Sequence, residues 1–234
     1  MTTALMNSLA HGYRAIVIGR SGGIGSAIAA AVQADPACGE LIALSRSGDG
    51  LDVTSEESVA AAASRLSGEF QLIFCATGGL TIDGVGPEKS LRQITADAMM
   101  KQFSLNAVGT ALVLKYFAPL LARKERALMG FLSARVGSIG DNQLGGWISY
   151  RASKAALNQI VRTASIELAR THPQSVLVPL HPGTVATTLS EKYSGNHART
   201  EPHEAARNLL AVLDGLQPVQ TGRFFAYDGS DIEW

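Results

Sequence analysis

The chain has 234 residues, 46% hydrophobic and 17% charged. That is enough apolar material for a sizeable core and argues against long disorder. Its 20 basic and 20 acidic residues balance to a formal net charge of zero, which excludes a general electrostatic attraction to nucleic acid or to an anionic membrane surface. Cys38 and Cys75 are the only cysteines. They lack metal-ligand spacing and make no disulfide scaffold, so two reduced thiols and no metal site are expected. The stretch from Met1 to Arg14 carries Asn7, Ser8, His11 and Gly12 without a long apolar run, so no signal peptide is expected. No segment is expected to reach the apolar length of a membrane span, and the expected compartment is the cytoplasm.

Short β-branched runs alternate with alanine-rich stretches along the chain. Ala15 to Ile18 reads as a buried strand ending at Gly19, and Ile24 to Gln33 as a helix with Ile24, Ile28, Ala31 and Val32 on one side. Leu41 to Leu44 is a second strand and Leu51 to Val53 a brief third. Thr54 or Ser55 caps the next helix, where Glu56 and Glu57 suit the macrodipole. Gln71 to Cys75 is a fourth strand, running into the turn Ala76-Thr77-Gly78-Gly79. A long helix over Thr95 to Leu121, a fifth strand over Leu128 to Leu132 and a second long helix over Ser149 to Arg170 follow, the last stopped by His172-Pro173. Ser175 to Leu180, a helix over Pro202 to Leu213 and a last strand over Arg223 to Tyr227 complete the series. This alternation predicts an α/β fold, a Rossmann-type doubly wound parallel sheet of about seven strands with helices on both faces. With no repeat or linker, residues 1–234 read as a single domain. The irregular stretch Thr184 to Thr200 is long enough to be a lid, or a surface loop without a role.

Between the first strand and its helix stands Gly19-Arg20-Ser21-Gly22-Gly23-Ile24-Gly25. A strand, a glycine turn and a helix N-terminus together form a phosphate cradle of backbone N–H groups. A P-loop is excluded because no Gly-Lys-Ser/Thr follows. In dinucleotide folds an acid ending the second strand bonds the ribose 2′-hydroxyl, and a cation there accepts a 2′-phosphate. Here Leu44-Ser45-Arg46-Ser47 has no acid until Asp49, and Arg20 adds a second cation. NADP(H) is therefore expected over NAD(H).

Tyr150-Arg151-Ala152-Ser153-Lys154 puts a phenol and an ammonium one helical turn apart on one face. A cation about 4 Å from a phenolate is worth roughly 4 kcal/mol at an effective dielectric near 20, and desolvation cancels part of it. A net fall of about two pH units would bring the tyrosine near working range for general acid–base chemistry.

With the spacing Gly-x-x-x-Gly-x-Gly and Tyr-x-x-x-Lys, the chain resembles the short-chain dehydrogenase/reductase family, over nearly its whole length. The segments Val136-Gly137-Ser138-Ile139, Gly145-Gly146-Trp147 and Phe224-Phe225-Ala226-Tyr227-Asp228-Gly229 look like the branch of C-factor and sniffer-type carbonyl reductases. The resemblance implies a dinucleotide site lined by Gly19, Gly23, Ile24 and Gly25, with Arg20, Ser21 and Arg46 beside it. Asp52 and Val53 would stand at the adenine edge, where a structural Asp capping the next turn is the other reading. Ala76 and Gly78 match the turn after the fourth strand. Pro182, Gly183, Val185 and Thr187 match a Pro-Gly turn contacting the nicotinamide amide and the diphosphate. His181 before it reads as a packed strand-end residue.

On the same resemblance Tyr150 exchanges a proton with a carbonyl or alcohol oxygen, Lys154 supports it, and Asn106 in Ser104-Leu105-Asn106-Ala107 holds Lys154 through a water. A plain interhelix bond is the alternative for Asn106. The family's carbonyl-polarising serine falls at Ala134, leaving Ser133 and Ser138 as candidates. The implied reaction is hydride transfer between nicotinamide and a small carbonyl or alcohol compound, in a homodimer or homotetramer pairing the two long helices. Leu144, Trp147 and Leu189 suggest a substrate of moderate size. Two rivals remain at this level. One is a methyltransferase, against which Arg46 argues; the other is a cofactor-binding signalling protein of the same fold with little activity.

Overall fold

The computed structural model describes residues 4–187 and 199–234. Among them six strands form one parallel sheet in the order β2-β1-β3-β4-β5-β6. β1 (Tyr13–Ile18) leads into α1 (Gly23–Gln33), β2 (Cys38–Leu44), a single helical turn α2 (Arg46–Asp49), α3 (Glu56–Ser64) and β3 (Leu72–Cys75). Then come α4 (Ala96–Phe103), a π-helical turn (Ser104–Val108), α5 (Gly109–Phe117), β4 (Ala127–Leu132) and α6 (Ile148–Leu168). β5 (Ser175–His181), α7 (Pro202–Gly215) and β6 (Phe225–Ala226) close the series.

Strand alternation sorts the core into two layers. Ile16, Ile18, Ile73, Cys75, Met129, Phe131 and Leu177 face one side, against Val59 of α3, Val113 and Phe117 of α5, and Leu157 and Val161 of α6. Val17, Leu72, Phe74, Leu128, Val176, Val178 and Leu180 face the other, against Ile28 and Val32 of α1 and Leu209, Leu210 and Leu213 of α7. The chain order reverses between β1 and β3, so a crevice opens at the carboxyl ends of the strands, where such sheets bind ligands.

The expected third strand, Leu51 to Val53, is absent, so the sheet has six strands where about seven were expected. Asp52 Oδ1 accepts from the Thr54 N–H and hydroxyl (2.9 and 2.7 Å), and Ser58 Oγ accepts from the Asp52 N–H while donating to Gly50 O. These local side-chain bonds occupy the backbone groups that a ladder would use. Ser55, not Thr54, caps α3. The last strand is shorter than expected, Phe225–Ala226 alone. The helix expected over Thr95 to Leu121 is interrupted by the π-turn and ends in a 3₁₀ turn, Ala118–Leu120, that includes Pro119. By length and mean hydropathy (1.2) alone Ala96–Leu120 would pass for a span, but it packs on α6 and the sheet as a core helix does.

Candidate active site

The crevice is a cleft of about 430 Å³ at the carboxyl ends of β1, β3, β4 and β5. Gly22 to Gly25 line one end, and Ala76, Thr77 and Gly78 the floor near β3. Ser133, Ala134, Trp147, Tyr150, Lys154 and His181 line the other end. Pro182, Gly183, Val185 and Thr187, all expected there, line it as well.

The glycine turn is built by close approach. Gly19 has φ +96°, and a Cβ there would stand 2.9 Å from the Ala76 carbonyl carbon. A Cβ on Gly25 would lie 2.1 Å from Gly19 O. No side chain caps α1, whose N-terminus therefore presents backbone N–H groups to the cleft. A Cβ on Gly23 would touch the Thr187 methyl at 2.8 Å, so the turn after β5 closes over the glycine turn. These features fit a dinucleotide diphosphate.

At the end of β2, Arg46 opens α2, and Ser45 caps that turn through the Gly48 N–H. Asp49 is turned back on this segment. Its Oδ2 accepts from the Ser45 N–H and hydroxyl (2.9 and 3.3 Å) and faces Arg20 Nε at 3.4 Å. Arg20, Ser21, Arg46, Asp52 and Val53 are not among the residues lining the cleft. Asp52 takes the capping role described above, and Val53 is buried against Gly109.

Tyr150 and Lys154 sit on the first turns of α6, and both are buried. Lys154 Nζ donates to Leu132 O at 3.0 Å and stands 6.0 Å from the Tyr150 ring centroid. Burial pushes the phenol well above the ordinary tyrosine range. It also pushes the Lys154 ammonium down to about 8, against a small upward pull from Cys75. The expected acidification of Tyr150 is thus not found: desolvation dominates at this separation, and the tyrosine is held as a neutral phenol.

Asn106 lies in the π-turn and is 1% exposed. Its Nδ2 faces Gly79 O (3.0 Å), Gln102 Oε1 (2.7 Å) and Ser153 Oγ (3.2 Å), and its Oδ1 accepts from the Gly79 N–H (3.0 Å). The interhelix bond is therefore formed, through Ser153. A Cβ on Gly78 would fall 3.0 Å from Lys154 Nζ and 3.1 Å from Asn106 Oδ1, so the two flank one glycine without bonding each other.

The serine candidates separate. Ser133 lines the cleft, but its hydroxyl donates to Asn158 Oδ1 at 2.6 Å. Ser138 is buried, accepts from the Asp141 N–H at 3.0 Å and is not among the lining residues. Ala134 lines the cleft. Of the substrate-side expectations, Trp147 lines the cleft, Leu144 is 92% exposed and not among its lining residues, and Leu189 lies outside the described residues. The same holds for most of the lid segment; its described ends are joined by Ala186 N–H to Thr200 O and Thr200 N–H to Thr184 O, both 2.9 Å.

Sequence reasoning missed two residues here, Glu88 and Asn158, and read a third, His181, as packing alone. Glu88 is buried, and its carboxylate accepts from the Ser149 N–H (3.2 Å) and hydroxyl. Its carbonyl takes the Trp147 N–H at 2.5 Å. Burial alone would push this carboxyl up; the Ser149 bonds outweigh that and hold it below the ordinary range. No sequence signal marks it. Asn158 was findable, since it follows Lys154 by four and so shares the catalytic face. His181, taken as packed, borders the cleft with an unpartnered Nδ1.

A parallel sheet with a glycine turn at its switch point and a Tyr-x-x-x-Lys helix over the same cleft defines an NAD(P)-dependent oxidoreductase. A family model described as enoyl-(acyl carrier protein) reductase matches residues 19–214, and the chain belongs to the short-chain dehydrogenase/reductase family. It is 38% identical over 188 residues to 1-hydroxy-2-glutathionyl-2-methyl-3-butene dehydrogenase of Rhodococcus sp. strain AD45, covering 79% of each chain. It is 37% identical over 137 residues to the C-signal protein of Myxococcus xanthus, covering 58% of this chain and 78% of that one. A short-chain dehydrogenase/reductase structure from Burkholderia multivorans with bound NADP superposes with a TM-score of 0.74 at 27% identity, over 95% of this chain and 99% of that one.

Proposed function

We propose that residues 1–234 act as one dinucleotide-binding and catalytic domain that transfers hydride between NADP(H) and a small carbonyl or alcohol compound. The observation that carries this reading is Tyr150 and Lys154, buried side by side at the end of a cleft whose other end is the open N-terminus of α1. Gly19, Gly23, Ile24, Gly25 and Thr187 would hold the diphosphate. Pro182, Gly183 and Val185 would face the nicotinamide, and Ala76 and Gly78 would lie beneath the ribose beside Lys154. Two features support NADP(H): Asp49 is engaged with Ser45 and Arg20, and among the described residues no carboxylate lies within ion-pair distance of Arg46, which opens α2 just after β2. The Burkholderia multivorans relative was solved with NADP. When bound, the cofactor supplies or accepts the hydride.

Tyr150, neutral in its buried setting, donates its proton to the carbonyl oxygen during reduction and recovers one from the alcohol in the reverse direction. Lys154, held by Leu132 O, presents its charge where a phenolate would form. Asn106 fixes the Gly79 backbone against α6. The Rhodococcus relative is named for a glutathionyl alcohol, so such conjugates join quinones, aldehydes and ketones in the substrate panel. A homodimer or homotetramer pairing the two long helical runs, residues 95–121 and 149–170, is proposed as well; Met100, Val108 and Ile166 on these runs are exposed, and sedimentation reads it directly. A cytoplasmic location belongs to the same reading.

The test is NADPH oxidation, followed by loss of its near-ultraviolet absorbance across the panel. Wild type turns over, and Tyr150→Phe loses roughly 10²- to 10⁴-fold while still binding NADPH. Binding without turnover in the wild type would favour the signalling alternative.

A further inference from the structure

We propose that His181 donates, through Nε2–H, the hydrogen bond to the substrate carbonyl oxygen that no serine among the described residues of this site supplies; this rests on the oxidoreductase reading above. The position expected to carry the polarising hydroxyl is Ala134. Ser133 spends its proton on Asn158 Oδ1, and Ser138 is engaged by Asp141 outside the cleft lining. Among the described residues, a carbonyl entering beside Tyr150 therefore meets no free serine.

The strand ladder brings His181 to the same cleft. Leu132 pairs with Leu180 across β4 and β5, and the Ser133 N–H reaches Leu180 O at 2.8 Å, so the ladder carries on to the strand ends. His181 follows Leu180, on the sheet face that Leu177 presents to α6, two strand pleats further along. Lys154 anchors on Leu132 O in the same layer. His181, Ala134, Tyr150 and Lys154 all line one cleft.

The ring's own chemistry selects the donor atom. Nδ1 is buried with no hydrogen-bond partner, and Nε2 is not. The ring as a whole is only half-buried, which leaves Nε2 as the nitrogen open to the cleft. A buried N–H without an acceptor is rarer and more costly than a buried lone pair without a donor, so the single proton of the neutral ring belongs on Nε2. Burial, with Arg135 nearby, pushes the imidazole down to about 4 against the weaker pull of Asp228 and Asp141. The ring is thus neutral across the working range. A neutral imidazole polarises a carbonyl without surrendering its proton. In reduction, the carbonyl carbon gains a hydride from the reduced cofactor, which ends oxidised. The oxygen takes the Tyr150 proton, and His181 keeps its own, sharing it only as a hydrogen bond to the developing negative charge.

The experiment compares wild type, His181→Ala, His181→Gln and the double variant His181→Ala/Ala134→Ser in steady-state NADPH oxidation, NADPH fluorescence titration and imidazole ¹⁵N NMR. His181→Ala should lose about a hundredfold or more in kcat with NADPH affinity unchanged. His181→Gln, which keeps an N–H donor, and the double variant, which restores a hydroxyl, should each recover part of the loss. The NMR spectrum of the wild type should show the Nε2–H tautomer at neutral pH, with no titration near 6.5. His181→Ala within threefold of wild-type kcat, or an Nδ1–H tautomer, would overturn the proposal. If His181→Ala folds poorly, His181→Gln at less than a hundredth of wild-type kcat with intact NADPH binding overturns it instead. Turnover by wild type that vanishes in Tyr150→Phe keeps the oxidoreductase reading standing whatever His181 does; no wild-type turnover sinks both.

Discussion

Replacing Lys154 by Met should separate stability from activity, because the folded protein holds this ammonium at a cost. The group falls from 10.5 to about 8 on burial, which corresponds to about 3 kcal/mol against the charged form. Below pH 8 both the folded and the unfolded chain carry the proton, and the full penalty is present. Between pH 8 and 10.5 the folded chain sheds it while the unfolded chain retains it, so the wild type gains stability as pH rises through that window. By pH 9.5 the gain reaches about 2 kcal/mol. Lys154→Met has no such group and should show no such gain. It also loses the bond to Leu132 O, worth about 1–3 kcal/mol with a buried carbonyl left over. That loss offsets much of the relief at pH 7, but it does not change with pH. Urea unfolding of both proteins at pH 7 and 9.5 therefore reads the difference of differences: the variant's relative stability should fall by about 2 kcal/mol between the two pH values. A difference constant to within about 0.5 kcal/mol would mean that the ammonium is not desolvated and would refute the reasoning.

Gly25→Ala places a methyl 2.1 Å from Gly19 O; the turn must open, so NADPH affinity should drop roughly a hundredfold or more in a fluorescence titration, with a stability cost of about 1–3 kcal/mol. Arg46→Ala should raise KM for NADPH roughly ten- to hundredfold while leaving KM for NADH nearly unchanged. Equal effects on both cofactors would count against a 2′-phosphate contact. Glu88→Ala strips the buried Ser149 of its acceptor and should lower the unfolding free energy by about 1–3 kcal/mol, read by denaturant melts.

The two-layer sheet was legible in the sequence because parallel strands buried on both faces are short apolar runs, and Val17, Phe74, Met129 and Val178 fall in such runs. Leu51 to Val53 satisfied the same pattern and failed, since Asp52, Thr54 and Ser58 supplied local bonds that composition does not reveal. At the site, the glycine turn and the Tyr150–Lys154 spacing were readable because each lies within a few residues of chain. The fate of Ser133 and Ser138 was not: whether a hydroxyl is free depends on Asn158 and the Asp141 backbone, which only the fold brings near. Nor was the effect of burial on Tyr150, which reverses the sign that pairwise Coulomb attraction alone predicts.

The π-turn at Ser104–Val108 has a mechanical consequence. A π-turn closes its ring one residue later than an α-turn, so it rotates everything beyond it by roughly 100° relative to an uninterrupted helix. That rotation lets one rod serve two masters: Asn106 aims at Gly79 and Ser153, while Val113 and Phe117 still meet the sheet. Deleting one residue within 104–108 would restore a regular helix and force a choice between the wiring of the site and the seating of the core.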